Sequence, residues 1–391
     1  MRLASRLAAA AGLIGAHRDV LAARPAGSGV PAALDARGWT GFLADLGDAS
    51  VDAFEIAGLD ADWSAAPPSL AAMVAEARAV CAVPELTEGA LGRDAPRHRR
   101  ASRRGETPRK SAQIDAFAWV LLPIARDAGR IVDVGSGHGH LTRELEARLA
   151  RPVLGLERDV RLTARARSLG GAFAETDVLR DGLPLEAGDC VVGLHACGEL
   201  GDVMVRSAAE HRASIALVGC CLQKRRDDAR VPLSEAEPVL ATRLLGLSNL
   251  VAREEGVEAS RADNLAARAR RLALHRLLVE RVGPLRLGAE MDGLNRRAAH
   301  ADLSTLVERA FARRALAVPS AADVRAADAW AREEHARARR LSLPRALLAR
   351  VLEVFVLADR ACFLEAHDRE VVVGRVFPAG VSARNLALVS R

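Results

Sequence analysis

An α/β fold, built on an open and mostly parallel sheet of Rossmann-like type, is what this sequence predicts. Three observations carry it. From Thr107 onward, strand-like and helix-like runs alternate strictly. A glycine-rich turn, Asp133-Val-Gly135-Ser-Gly137-His-Gly139-His140, sits where the first of those strands ends. The chain then closes on a helix followed by a second block of strand chemistry. Short β-rich runs joined through helices require crossover connections, so the strands they link run parallel.

Taken in order, residues 1–88 read as helices broken by Gly/Pro punctuation, as at Ala26 to Pro31 and at Ala66-Pro67-Pro68, which starts a helix at Ser69. Arg2 and Arg6 ahead of the apolar Leu7 to Ala16 imitate a signal peptide. The same residues, with Leu3, Leu13, Ile14 and Leu21, form the stripe of an ordinary amphipathic helix, so a cytoplasmic chain is the expectation. Residues 89–107 form a polar, basic linker rich in arginine (Arg93, Arg97, Arg99, Arg100, Arg103, Arg104). These arginines read first as a solvated loop and second as phosphate contacts.

The predicted core covers 108–231. A helix from Pro108 to Asp127 leads into Ile131 to Val134, and a second from His140 to Leu149 leads into Val153 to Glu157. A helix near Val160 to Ser168, then Gly171 to Thr176, Cys190 to Leu194, a helix near Leu200 to His211, and Ser214 to Gly219 complete five strands. Residues 232–342 are helical, with a stripe at Leu265, Ala269, Leu272, Leu277 and Leu278, and read as an insertion. The segment 343–391 supplies a helix from Leu343 to Ala366, a strand from Glu370 to Phe377, a turn at Pro378 to Ala383 and a strand from Asn385 to Val389. That helix and hairpin bring the sheet to seven strands.

Composition narrows the function classes. In 391 residues no apolar run approaches the roughly 18 needed for a membrane span. The net charge is +6, yet lysine occurs only at Lys110 and Lys224, tyrosine is absent and alanine abundant. A GC-rich genome imposes that pattern, so only local arginine clusters speak about partners. Six cysteines without a disulfide-framework spacing predict reduced thiols.

The glycine turn carries the first chemistry. A dinucleotide fold spaces its glycines G-x-G-x-x-G and seats a pyrophosphate on a helix N-terminus. Here the spacing is G-x-G-x-G, with Asp133 two residues ahead. A carboxylate there repels a pyrophosphate and suits the positively charged methionine end of S-adenosyl-L-methionine, so Asp133, Gly135, Ser136, Gly137 and Gly139 are expected to hold that end. Glu157, closing the second strand, can accept from both ribose hydroxyls. Asp177, followed by Val178 at the end of the third, can accept from the adenine amino group. An acid after the second strand also serves a nicotinamide cofactor. The glycine spacing and Asp133 separate the two, and together these residues imply methyl transfer from S-adenosylmethionine.

In open parallel sheets ligands lie beyond the carboxyl ends of the strands. The fourth strand ends in Gly193-Leu-His195-Ala-Cys197-Gly198-Glu199 and the fifth in Val218-Gly219-Cys220-Cys221-Leu222-Gln223-Lys224. His195 is expected beside the cofactor and as a general base titrating near neutrality. Cys197, Cys220 and Cys221 are expected to pack next to the acceptor. Their spacing is not that of a zinc knuckle, and no metal is predicted. Ser382, Arg384 and Asn385 are expected at the substrate opening, with a purely structural hairpin as the alternative. The Asn/Asp-Pro-Pro-aromatic turn of adenine amino methyltransferases is missing after the fourth strand.

Residues 133–141, Gly193-Leu-His-Ala-Cys-Gly-Glu-Leu200, Val218-Gly-Cys-Cys221, Pro232-Leu-Ser234, Leu357-Ala-Asp-Arg360 and Ser382-Ala-Arg-Asn-Leu-Ala-Leu388 resemble the methyltransferase-like protein twenty-five group. That group includes the ribosomal RNA adenine dimethylase domain-containing protein, and the resemblance runs from Arg109 onward. It implies a class I S-adenosylmethionine-dependent methyltransferase sheet. Transfer-RNA ribose methyltransferases and a protein bearing a glutathione-transferase-like domain share the His-x-Cys-Gly and Cys-Cys turns. The chain departs from the group where Lys-Lys followed by His-Glu is usual, reading Arg109-Lys110-Ser-Ala-Gln113, and where an aromatic is usual after the paired cysteines, reading Leu222. An RNA or protein acceptor is the leading expectation, although eight phenylalanines and four tryptophans leave little for base stacking. A cofactor-binding adaptor without catalysis and a small-molecule methyltransferase are the alternatives.

Overall fold

The computed structural model describes residues 1–25, 29–86, 107–251 and 259–391, so the basic linker apart from Thr107 lies outside the described residues. Seven strands form the main sheet: β1 (Ile131–Val134), β2 (Val153–Glu157), β3 (Ala172–Glu175), β4 (Cys190–Cys197), β5 (Ser214–Cys220), β8 (Val371–Arg375) and β9 (Leu386–Ser390). A separate two-stranded ladder pairs β6 (Ala229–Arg230) with β7 (Leu240–Ala241). The spatial order is β3-β2-β1-β4-β5-β9-β8. Strands β1 to β5 pair in parallel, and β9 runs antiparallel to both β5 and β8. The chain reverses strand order between β1 and β4, which opens a crevice at the carboxyl ends of those strands.

The Pro108–Ala125 helix packs its apolar face, Ile114, Phe117, Ala118 and Leu121, into one core with Ile131, Val192, Ala216, Val218 and Ala387. Its start is fixed by Thr107, whose side chain accepts from the Lys110 N–H, and by proline at the first helical position. Every β1 residue is buried, as a central parallel strand covered on both faces requires.

Two expectations about extent need correction. Strand β4 was expected to end at Leu194, but it continues to Cys197 past a register shift between Leu194 and Ala196. His195, at φ +69°, is the extra residue of that bulge. The closing helix was expected to begin at Leu343, whereas one helix runs from Ala321 to Glu365 and contains Pro344. Proline removes a single N–H bond there, and the buried Leu341, Leu343, Leu347 and Leu348 around it outweigh that loss.

The chain divides into two compact units: Met1–Leu21, Met73–Arg253 and Ala346–Arg391 in the first, Ala22–Ala72 and Glu254–Arg345 in the second. Neither the 1–88 region nor the 232–342 insertion is therefore a unit of its own. The second unit has its own core of Leu274, Leu277, Leu278, Leu306, Phe311 and Val324. It also has its own ion pairs, from Arg339 to Asp52 and Glu55. In the first unit, the Leu3–Ala16 helix buries Leu7, Leu13 and Ile14, and Arg6 donates to the carbonyls of Val80 and Ala82. Among the described residues no helix is long and apolar enough to cross a membrane.

Candidate functional site

A cleft with a cavity volume of about 280 Å³ opens where β1, β2 and β4 end and β3 runs into a short helix. Its walls gather Gly135, Glu157, Asp177, Val178, His195, Cys197 and Lys224. Six of these seven were singled out from sequence. Lys224, which follows the fifth strand, completes the wall.

The β1–β3 side is built from backbone. Gly135 and Gly137 take φ values of +72° and +56°, and a Cβ on Gly137 would meet nothing within 4 Å. The turn thus presents bare backbone to open space, which is what close approach of a ligand requires. Both carboxylate oxygens of Glu157 are held: Oε2 accepts from the Gly137 N–H at 3.0 Å and Oε1 from the Asp159 N–H at 3.0 Å. A carboxylate offers about four lone-pair sites, so two remain for a diol. Asp177 caps the Val178–Asp181 helix by accepting from the Leu179 N–H at 3.2 Å.

Three members of the turn sit differently from expectation. Asp133 does not line the cleft; it is 2% exposed and accepts from the Thr142 hydroxyl at 2.6 Å. Burial pushes its carboxyl up to about 6, against the opposing pull of that bond and of Lys110. The side chain of a mid-strand residue with both neighbours buried turns under the following helix, so Asp133 braces the turn from behind. The Ser136 hydroxyl is buried without a hydrogen-bond partner and would lie 2.9 Å from a Cβ on Gly155. Gly139 is required by packing, because a Cβ there would stand 2.2 Å from the Phe173 ring.

The β4–β5 side is built from side chains. His195 Nε2 meets Gln113 Oε1 at 3.1 Å, and the Gln113 amide donates in turn to the Val381 carbonyl at 3.4 Å. With Gln113 accepting, Nε2 carries the hydrogen and Nδ1 keeps a lone pair. Burial lowers the imidazole to about 4, with Lys110, Arg384 and Arg109 adding to the effect. The expected titration near neutrality is thus overturned: the ring is neutral at pH 7 and a weak base. A non-glycine residue in the left-handed region stores on the order of 1–3 kcal/mol, the kind of strain that collects at functional sites.

Cys197 and Cys220 approach to 3.0 Å between sulfurs, and Cys220 Sγ also lies 3.0 Å from the His195 carbonyl. Hydrogen bonding with Cys197 and Cys221 pushes the Cys220 thiol up, and the same bond, with Arg384 and Lys224 nearby, lowers Cys221 to about 5. All six cysteines are free.

Behind this side lies a buried ionic cluster. Asp202 accepts from Arg225 at 2.6 Å, from Arg230 at 2.9 Å and from Arg360 at 2.9 Å. Burial raises Asp202, but Arg360 and Arg230 outweigh it and hold the carboxyl well below the usual range. Arg360 also donates to the Gly198 carbonyl at 2.8 Å. Asp359 accepts from Arg230, from the Leu233 and Ser234 N–H groups and from the Ser234 hydroxyl. The Pro-Leu-Ser and Leu-Ala-Asp-Arg segments therefore meet here.

Ser382, Arg384 and Asn385 do not reach the cleft. Asn385 donates to the Phe377 carbonyl at 2.8 Å and accepts from Arg350 at 2.7 Å. Arg384 reaches Asn249 and lies 4.0 Å from Glu353. All three are buried, so the hairpin alternative describes them. Gln113 is the residue that sequence reasoning missed; a lone amide on the apolar stripe of Ile114, Phe117 and Leu121 was its signal.

Residues 109–227, which carry β1 to β5, match a family model described as a methyltransferase domain. A sugar N-methyltransferase from Streptoalloteichus sp. ATCC 53650 is similar in structure over 34% of this chain, at 18% sequence identity and a TM-score of 0.25. The chain spans 59% of that protein's length.

Proposed function

We propose that this chain transfers a methyl group from S-adenosylmethionine to an acceptor, RNA or protein, presented at the ends of β4 and β5. The observation that carries the reading is the convergence of Gly135, Glu157, Asp177 and His195 on one cleft at a strand-order reversal. The bare Gly135–Gly137 backbone and the two remaining acceptor positions of Glu157 fit a nucleoside that carries an amino-acid chain on sulfur and a free ribose diol. The match of residues 109–227 to a methyltransferase domain supports the same reading.

S-adenosylmethionine supplies an activated methyl on a sulfonium, so the protein's part is alignment of the acceptor and handling of its proton. Glu157 and Asp177 are assigned to ribose and adenine. His195, locked by Gln113, offers Nδ1 as a hydrogen-bond acceptor to the nucleophile. A ring held at about 4 orients the nucleophile, and the proton that the methylated acceptor sheds passes on to water while S-adenosylhomocysteine leaves. His195 is thus a positioning acceptor in this reading.

Three measurements test it. Calorimetric titration should give binding of S-adenosylmethionine and S-adenosylhomocysteine and none of NAD; the reverse would overturn the cofactor assignment. Incubation with methyl-tritiated S-adenosylmethionine and cell lysate should place label in nuclease- or protease-sensitive material. Label confined to small molecules, or binding without transfer, would replace the acceptor assignment with one of the two alternatives. His195→Ala should keep cofactor affinity within a few fold and lose roughly a hundredfold in turnover through lost alignment of the nucleophile.

A further inference from the structure

We propose that Cys197, Cys220 and Cys221 form a zinc site where β4 and β5 end. Among the described residues they are the only group of three or more His, Cys, Asp or Glu side chains gathered closely enough to hold a metal ion, with all sulfurs within 4.8 Å of one another. The inference does not depend on the methyl-transfer reading.

The backbone assembles the cluster on purpose-specific geometry. In the regular part of the β4–β5 ladder Leu194 pairs with Val218, which would place Ala196 beside Cys220. The bulge at His195 slips the register by one residue, so Ala196 pairs with Gly219 and Cys197 with Cys220. In-register neighbours on parallel strands project to the same face, and the sulfurs meet. Cys221 follows directly at the strand end. Strain at His195 thus has a structural product: it delivers the third thiol.

The chemistry suits a borderline-soft d¹⁰ cation. Zinc bonds thiolate sulfur at about 2.3 Å in a tetrahedron, which spaces sulfurs about 3.8 Å apart. The observed separations run from 3.0 Å to within 4.8 Å, bracketing that value and leaving only side-chain rotation to close on a metal. Cys197 lines the cleft, and both Cys197 and Cys221 are partly exposed, so an ion has an entry path. Three thiolates and Zn²⁺ sum to one negative charge, and Lys224 and Arg384 stand close enough to interact with Cys221. Three protein ligands with an exchangeable fourth position is the pattern of zinc sites that take part in chemistry.

The test uses the full chain, reduced, stripped with a chelator and titrated with Co²⁺. The expected result is a sulfur-to-cobalt charge-transfer band with tetrahedral visible bands, saturating at one ion per chain and bleached by Zn²⁺. Cys197→Ser and Cys221→Ser should each abolish the bands, and Cys362→Ser should keep them. Alkylation of the unaltered chain, read by mass spectrometry, removes any dependence on variant folding: Zn²⁺ should protect Cys197, Cys220 and Cys221 together and leave Cys362 unaffected. Absence of the bands at full thiol titre, bands persisting in Cys221→Ser, no joint protection, or a Cys197–Cys220 disulfide that forms equally with Zn²⁺ present would each overturn the site.

Discussion

The two sides of the cleft are built by different means. On the β1–β3 side, function is carried by backbone geometry and by acids standing at strand ends: Gly135 and Gly137 expose the chain, and Glu157 is fixed by two N–H groups at most 20 residues away. On the β4–β5 side the histidine is held through partners distant in sequence: His195 by Gln113, 82 residues away, and Gln113 by Val381, 268 residues on. The first side is a short-range construction that any chain with that turn can make. The second depends on the whole unit being folded, because its floor is the buried cluster of Asp202 with Arg225, Arg230 and Arg360. One side is preformed by local rules and the other is assembled.

The largest effect that separates the two follows from removing the floor. Asp202→Ala leaves Arg225, Arg230 and Arg360 buried, with Arg230 alone of the three keeping a carboxylate partner, Asp359, and breaking a buried ionic cluster on one side costs about 3–5 kcal/mol. Urea denaturation should register that loss of stability. Hydrogen exchange should place the increased opening at residues 195–230, with β1 and β2 still protected. Uniform loss of protection across the sheet would mean that the two sides fold as one and that the distinction is false.

A second effect is confined to the other side. Glu157→Ala removes the acceptor assigned to the ribose, worth roughly 1.5–3 kcal/mol for a charge-assisted bond, or about ten- to a hundredfold in affinity. Isothermal titration with S-adenosylhomocysteine reads it directly. Unchanged affinity in a folded variant would remove Glu157 from the cofactor site.

That contrast also explains how much was legible in the sequence. The parallel alternation of strands and helices, the glycine turn and the strand-end places of Glu157 and Asp177 were readable because each is a local pattern, and chain direction alone brings strand ends together. The facing of Asp133 and Ser136 was not readable, since it depends on Thr142 and on the contour of β2. Gly139 owes its identity to Phe173, a partner 34 residues on that no spacing rule connects to it. On the β4–β5 side a bulge at His195 reset the register, and a bulge has no periodic signature. Ser382, Arg384 and Asn385 were read from their place after a strand, but that turn is closed over by Phe377, Arg350 and Asn249.

A third test uses protons. The Asp133 carboxyl, ordinarily at 3.8, stands at about 6, so between those values the folded chain holds a proton that the unfolded chain has lost, and stability falls as pH rises. The His195 imidazole, ordinarily at 6.5, stands at about 4, so in that window the unfolded chain holds the extra proton and stability rises with pH. Between pH 4 and 6 the two largely offset. Denaturation midpoints of Asp133→Asn should therefore climb with pH more steeply than those of the unaltered chain, and those of His195→Gln should decline, each by at most about 1.4 kcal/mol per pH unit. Slopes of the same sign in both variants would contradict the opposed environments.

The smallest effect is expected at Asp177, and it sharpens the description of the preformed side. Asp177 has a structural task, capping the Val178–Asp181 helix through the Leu179 N–H, and a proposed ligand task, accepting from an adenine amino group. Alanine would confound the two. Asparagine keeps the cap, since asparagine and aspartate are about equally good at that position. What changes is the second oxygen, now an amide nitrogen that donates where an adenine amino group also donates. The lost interaction is one hydrogen bond, against the two assigned to Glu157, so the low end of the charge-assisted range applies, about 1.5 kcal/mol or roughly tenfold in S-adenosylhomocysteine affinity. Inosine-containing analogues, which carry a carbonyl in place of the amino group, should then bind Asp177→Asn at least as well as the unaltered chain does. An equal preference for the amino and carbonyl analogues in both proteins would leave Asp177 as a helix cap with no part in reading the base.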